Sequence, residues 1–275
     1  FLWRCLPLHA METTIKTVYD FTLGADPELF LINTASGKFM SAIGKIGGSK
    51  VNPHPIGEGC AIQEDNVAVE FNIAPSDTKE KFVAGLNYAL EHLVKKVQDM
   101  GLSLSVTASH SFDEDQLRHP LARRFGCDPD YNAWTGRRNK SPHSDNKNLR
   151  SAGGHVHFGT PLDKMQIIRW CDVAMGLWSV LEDSDLRRRE LYGKAGAYRA
   201  KPYGCEYRTL SCYWIANSDT MEKIWERAKW VVNKVVRGHT LDNDEEGKKI
   251  QLAINNSNKN LAEELLKHYD AICLQ

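Results

Sequence analysis

The sequence predicts one α+β domain, on three observations. Segments of alternating apolar and polar residues read as strands, apolar stripes at helical spacing read as helices, and the two interleave without the βαβ rhythm of a parallel sheet. A chain of 275 residues, 42% hydrophobic and 25% charged, can bury a core of that size. Lys+Arg and Asp+Glu both total 35, so the zero net charge gives no global bias toward nucleic acid or an anionic membrane. Seven cysteines without a CxxC pair indicate neither a zinc knuckle nor a disulfide framework, and favour a reducing cytoplasm. Residues Phe1 to Ala10 lack an initiator methionine and are too short and interrupted for a signal peptide. They read as an extension, with Met11 as the natural start and 11–275 as the single domain. No other apolar run reaches the roughly 20 residues of a membrane helix, so a soluble protein is expected.

The elements follow in order. Thr22 to Ile32 reads as a strand, with Lys38 to Ile46 as its hairpin partner across Ser36-Gly37. From Asn66 to Ile73, Val67, Val69, Phe71 and Ile73 share one face, and Asn66, Ala68, Glu70 and Asn72 the other. Asp77 and Glu80 form a capping box for a helix with Phe82, Leu86, Leu90, Leu93, Val94 and Val97 on its apolar stripe, stopping at Gly101. Leu102 to Ala108 is a strand. Phe112 to Asn148 is long, polar and loop-like, which makes it a candidate substrate lid. Thr160-Pro161 opens a helix with Ile167, Ile168, Cys171, Ala174, Leu177, Trp178 and Leu181 on its buried stripe. Arg189 to Ser211 mixes glycines, tyrosines and cations, as an anion-binding loop feeding a strand would. Helices are expected from Ser218 to Val236 and from Asn260 to Tyr269.

Acids, histidines and an arginine recur at alternate positions in Asp26-Pro27-Glu28, His155-Val156-His157 and Glu206-Tyr207-Arg208. Alternate residues share one face of a strand, and an unpaired buried carboxylate costs several kcal/mol or more, so these faces point to one metal site. Pro27 removes a backbone donor, which places its segment near a strand edge or end. Glu70 lies between apolar neighbours and needs a partner. Glu64 has the parity of Glu70; Asp65 does not, and joins the site only if a turn or bulge precedes the strand. Glycines on both sides of His155 and His157 allow close approach of other backbone or a ligand. Carboxylates outnumber histidines, and no cysteine has a ligand's spacing, so Mg²⁺ or Mn²⁺ is favoured. Glu206 and Arg208 share a face, which sets a metal-bound carboxylate beside a guanidinium able to contact a phosphoryl oxygen.

Together these segments resemble the phage carboxylate-amine ligases, the "COOH-NH2 ligase type 2" group of the glutamine synthetase and glutamate-cysteine ligase superfamily. The resemblance runs from about Thr22 to Trp214. It rests on Gly24-Ala25-Asp26-Pro27-Glu28, Glu64-Asp65-Asn66 leading to Glu70-Phe71-Asn72, Phe125-Gly126-Cys127-Asp128-Pro129-Asp130, Arg150 with Gly153 to Gly159, and Tyr203 to Arg208. It implies a curved antiparallel sheet, a half-barrel backed by helices, with ATP, a carboxylate and an amine meeting on the concave face. It also implies metal ions held by Asp26, Glu28, Asp65, Glu70, His155 or His157, and Glu206, and it ranks Asp65 above Glu64. Arg208, Glu206 and Glu70 become the catalytic candidates. No nucleotide glycine fingerprint is present, so ATP would be held through metal and through Arg150, Arg187, Lys194, Arg199 and Lys201. The implied reaction joins a carboxylate to an amine through an acyl phosphate.

The main rival is a metal-dependent hydrolase using His155, His157 and nearby carboxylates without ATP. A guanidino kinase would need a substrate-loop sequence that is absent, and a non-catalytic binding module leaves the acid-rich faces unexplained.

Overall fold

The computed structural model describes residues 20–123, 130–140, 144–183 and 185–271. Met11, the expected extension before it and the Phe125 to Pro129 part of the ligase-like motif lie outside the described residues. In chain order the strands are β1 (Thr22–Asn33), β2 (Phe39–Met40), β3 (His54–Gly57), β4 (Cys60–Asp65), β5 (Ala68–Asn72), β6 (Leu102–Ser105), β7 (Ser109–Ser111), β8 (Tyr131–Asn132), β9 (Leu149–Ser151), β10 (Gly154–Gly159), β11 (Ala197–Lys201) and β12 (Gly204–Tyr207). The helices are α1 (Lys79–Gln98), α2 (Lys164–Cys171), α3 (Leu177–Glu182), α4 (Arg188–Leu191), α5 (Ser218–Val236), α6 (Glu245–Asn255) and α7 (Lys259–His268). A π-helical segment, Asp172–Gly176, joins α2 to α3.

The strands form a 10-stranded antiparallel sheet in the order β3-β4-β5-β1-β10-β12-β11-β8, with β2 and β6 also paired to β1. The sheet does not close into a barrel, so the fold is α+β, as the sequence predicts. Alternation divides its two faces. Leu23, Ala25, Leu29, Ile62, Val69, Phe71, Val156, Phe158, Cys205 and Tyr207 are buried on the helix side, in the same apolar cluster as Phe82 and Leu86 of α1 and Ile168 and Cys171 of α2. Apart from Glu64, the charged residues of the same strands occupy the opposite face.

Several boundaries move for local reasons. Pro27 lies in a central strand, not at an edge. Its missing donor falls on the β5 side, between the Ile73 N to Ala25 O bond and the Glu28–Glu70 pair, where the ladder is interrupted. The hairpin partner of β1 shrinks to β2, and β6 ends at Ser105. Thr78, not Asp77, caps α1 by accepting from Lys81 N, because Asp77 pairs with the Lys81 side chain. Helix α2 starts at Lys164 under an Asp163 cap that accepts two backbone N–H groups. Leu181 on its expected stripe is only partly buried. The Arg189 to Ser211 segment is a short helix and a β11–β12 hairpin, since Tyr198 and Tyr207 alternate with cations and acids as strand residues do. Helix α6 carries Ile250, Ala253 and Ile254 inward and was not foreseen. Within 112–148, the described part is pinned by buried Phe112, Leu117, Ala122, Ala133 and Trp134, while 124–129 and 141–143 lie outside the described residues. Among the described residues, no helix is long and apolar enough to cross a membrane.

Candidate active site

Register brings the charged residues together. Glu28 pairs with Glu70, Asp26 with His155, His157 with Glu206, and Arg199 with Glu206, so a row of ionisable side chains crosses β5, β1, β10, β12 and β11 on one face. Asp65 joins them because a two-residue turn, Asn66-Val67, reverses the chain and sets Asp65 opposite Ala68. Asn66 takes the turn at φ +59°, a left-handed conformation Asn tolerates. This turn is the condition under which the sequence allowed Asp65 to join Glu70. Glu64 sits on the other face, where it accepts the backbone N–H groups of Gly44, Ile46 and Gly47.

Two groups of donors result: Glu28 with Asp65 and Glu70, and Asp26 with His157 and Glu206, each with its donor atoms within 4.8 Å of one another. In the first, burial and then the Asp65 charge raise the pKa of Glu28, although its Oε2 accepts the Gly153 N–H at 2.7 Å. Burial, followed by the charges of Asp26, Glu28 and Asp65, pushes Glu70 well above the usual carboxylate range. The cation beside them is Lys50, 3.3 Å from Asp65 Oδ2. This all-oxygen cluster is short of positive charge, the condition a hard divalent cation relieves.

The second group is electrostatically different. Burial works against the charge on Asp26, but the charge of His157 and the close approach of both imidazoles outweigh it and hold the carboxyl well below its ordinary value. Asp26 Oδ1 stands 3.0 Å from His157 Nε2 and 3.3 Å from His155 Nδ1. Asp26 Oδ1 and His157 Nε2 are both buried and are paired with each other across that 3.0 Å. A carboxylate oxygen and an imidazole nitrogen this close, with Glu206 in the same group, can turn their lone pairs to a shared cation. Glu206 is fully buried; burial raises its pKa, yet Arg208 and His155 bring it down to about 2. Arg208 contacts it directly, Lys201 Nζ is 2.8 Å from Oε2, and Arg199 is 3.7 Å from Oε1. His155 lies between the groups, with Nδ1 3.3 Å from Arg208 and 3.7 Å from Glu206. The carboxylates and one imidazole fit Mg²⁺ or Mn²⁺.

A pocket of about 730 Å³, open to solvent, adjoins the first group. Glu28 and Asp65 lie at one end, Arg150, Arg188, Arg208 and Asp130 form polar wall, and Leu149, Leu191 and Val67 add apolar surface. Arg188 donates to the carbonyls of Ala152 and Thr209, and Arg150 to those of Ala122, Lys147 and Leu149, so both guanidinium groups are fixed by neutral acceptors. Gly153 completes the wall: any side chain there would run into the His155 ring. Behind the sheet, Tyr207 donates to Asp172 at 2.8 Å and Trp134 Nε1 donates at 2.6 Å, an anchor that holds β12 while burial raises Asp172 to about 7.

Two expected cations lie elsewhere. Arg187 donates to Ser109 O and lines a separate cavity with Val106 and Tyr213, and Lys194 is exposed and absent from the pocket wall. Sequence reasoning missed Lys50, Arg188 and Tyr203. Arg188 stands between Arg187 and Arg189 in a basic run and Tyr203 in the Tyr203-Gly204-Cys205-Glu206 motif, but nothing in the loop around Lys50 signals its role.

The fold and this face define a candidate centre for divalent cations beside an anion-binding wall. Residues 146–272 match the family described as "Phage phiEco32-like COOH.NH2 ligase-type 2", which bears out the resemblance to phage carboxylate-amine ligases. The matched span contains Arg150, His155, His157, Glu206 and Arg208; Asp26, Glu28, Asp65 and Glu70 precede it. Among solved structures, a bifunctional glutathione synthetase from Pasteurella multocida aligns over 91% of this chain and 49% of its own, at 9% identity and a TM-score of 0.40. A "novel glutamine synthase homolog" aligns over 92% of this chain and 67% of its own, at 13% identity and a TM-score of 0.33. The chain thus spans about half the length of the first of these. No curated protein matches the sequence.

Proposed function

We propose that this protein is an ATP-dependent carboxylate-amine ligase that forms an amide or peptide-like bond through an acyl phosphate. The observation that carries the reading is the row of acids, histidines and Arg208 on one sheet face, and the family match over 146–272 supports it. Glu28, Asp65 and Glu70 hold one Mg²⁺ or Mn²⁺; Asp26, His157 and Glu206 hold another. When bound, such ions offset the repulsion between a substrate carboxylate and the γ-phosphate. The protein's own residues supply the rest. Arg208 directs its guanidinium past Glu206 to the transferring phosphoryl group, where planar paired donors fit two oxygens. Arg199 and Lys201 stand beside Glu206 and add positive charge for nucleotide phosphates. Arg150 and Arg188 hold the wall of the neighbouring pocket positive, which suits the carboxylate substrate. A reducing cytoplasm suits the free, buried Cys60, Cys171, Cys205 and Cys212.

The test is an ATP-consumption screen with Mg²⁺ against amino acids, polyamines and cell-wall peptides, coupled to mass detection. A condensed product formed only with ATP is the expected result. Bond cleavage without ATP would instead identify the metal-dependent hydrolase.

A further inference from the structure

The turn joining β11 to β12 brings a phenol against the site. Gly204 stands at φ +154° with its backbone packed on Phe158, and a side chain there would collide with the Phe158 carbonyl oxygen. That close approach, with the Thr160 N–H donating to Tyr203 O at 2.9 Å, holds the hairpin turn over β10. Tyr203 Oη then lies 2.7 Å from His157 Nδ1, while the other ring nitrogen, Nε2, faces Asp26.

We propose that Tyr203 is a positioning residue for His157: its phenol oxygen accepts the Nδ1–H and so fixes the tautomer whose Nε2 lone pair faces the cation. The inference rests on the ligase reading's assignment of His157 to a cation. An imidazole ligates through one nitrogen only when the proton is on the other, and a fixed acceptor at Nδ1 both selects that tautomer and stops the ring turning. Tyr203 suits the task. Its side chain is half-exposed, which lets the hydroxyl proton turn to water while the oxygen accepts from His157. His155 belongs to neither donor group, and its Nδ1 faces Arg208, Asp26 and Glu206. His157 is the imidazole whose ring nitrogen falls within the donor group, and the hydroxyl holds it there.

The test uses the full chain with Mn²⁺ and AMP-PNP, followed by Mn²⁺ titration and by pulsed EPR, which detects the ¹⁴N coupling of a ligating imidazole. Tyr203→Phe keeps the ring and removes the acceptor. It should weaken Mn²⁺ binding about tenfold, the effect typical of losing such an outer partner, and reduce the imidazole coupling. In a His157→Ala background, where the coupling is already lost, Tyr203→Phe should change nothing further. Wild-type affinity and coupling in Tyr203→Phe would overturn the proposal. So would a weakening of equal size in the His157→Ala background, since that reports a general effect on the hairpin. Bound Mn²⁺ without imidazole coupling in the wild type would remove His157 as a ligand and the proposal with it, yet leave the three-carboxylate site standing. No bound Mn²⁺ at all would sink the cation reading itself.

Discussion

Glu206→Gln should cost about 3 kcal/mol of stability at pH 7, and the loss should shrink in acid. Glu206 is fully buried, with Arg208, Lys201 and Arg199 beside it; burial raises its carboxyl, yet Arg208 and then His155 and His157 bring it from 4.5 to about 2. The fall from 4.5 to about 2, at roughly 1.4 kcal/mol per tenfold change in proton affinity, gives about 3 kcal/mol, of the order seen when one partner of a buried ion pair is removed. The folded pKa is depressed, so this stability is fully present above the unfolded value of 4.5 and is lost as pH falls toward 2. Linkage then leaves less than half of it at about pH 3. Urea unfolding of wild type and variant in EDTA at pH 7, 5 and 3 measures the difference directly, with exposed Glu245→Gln as control. A loss below about 1 kcal/mol at pH 7, or one that stays constant to pH 3, would refute the reasoning that Glu206 is held ionised by its cations.

Arg208→Lys should lower ATP-dependent turnover by roughly 10² while changing nucleotide affinity much less, because lysine cannot reproduce a planar paired contact. Steady-state kinetics and nucleotide binding on the same preparation check this; unchanged turnover removes the phosphate contact. Glu28 and Glu70 have raised folded pKa values, so the stability they contribute in acid is lost as pH rises past the ordinary carboxylate range. Mg²⁺ should therefore raise the Tm in EDTA-treated protein more at pH 8 than at pH 5, and an equal gain at both would count against a cation among these acids. Gly204→Ala should destabilise the fold by several kcal/mol through its clash with the Phe158 carbonyl, read by thermal melting; a wild-type Tm would contradict that contact.

Local chemistry made much of this protein legible. Strand alternation in residues 22–32 and 66–73 and the apolar stripes of α1, α2 and α5 depend on nearest neighbours along the chain, so one-dimensional periodicity reads them. Helix caps shifted by a residue or a few because the choice between Asp77 and Thr78 turns on whether Asp77 is drawn to Lys81. The charged pairs at alternate positions announced a common face within each strand. Which strands lie side by side is a different matter, set by long-range packing on α1 and α2. Only that pairing sets Glu28 against Glu70 and His157 against Glu206, and only the Asn66-Val67 turn moves Asp65 to their face while turning Glu64 toward backbone donors. The cations divide in the same way: residue type marks Arg187, Lys194, Arg199 and Lys201 alike, but strand register takes Arg199 and Lys201 to Glu206, while Arg187 lines a separate cavity and Lys194 is exposed. The sequence by itself determined which residues carry charge and how they alternate; the tertiary structure decided which charges meet, because meeting depends on strand order that no short stretch of chain encodes.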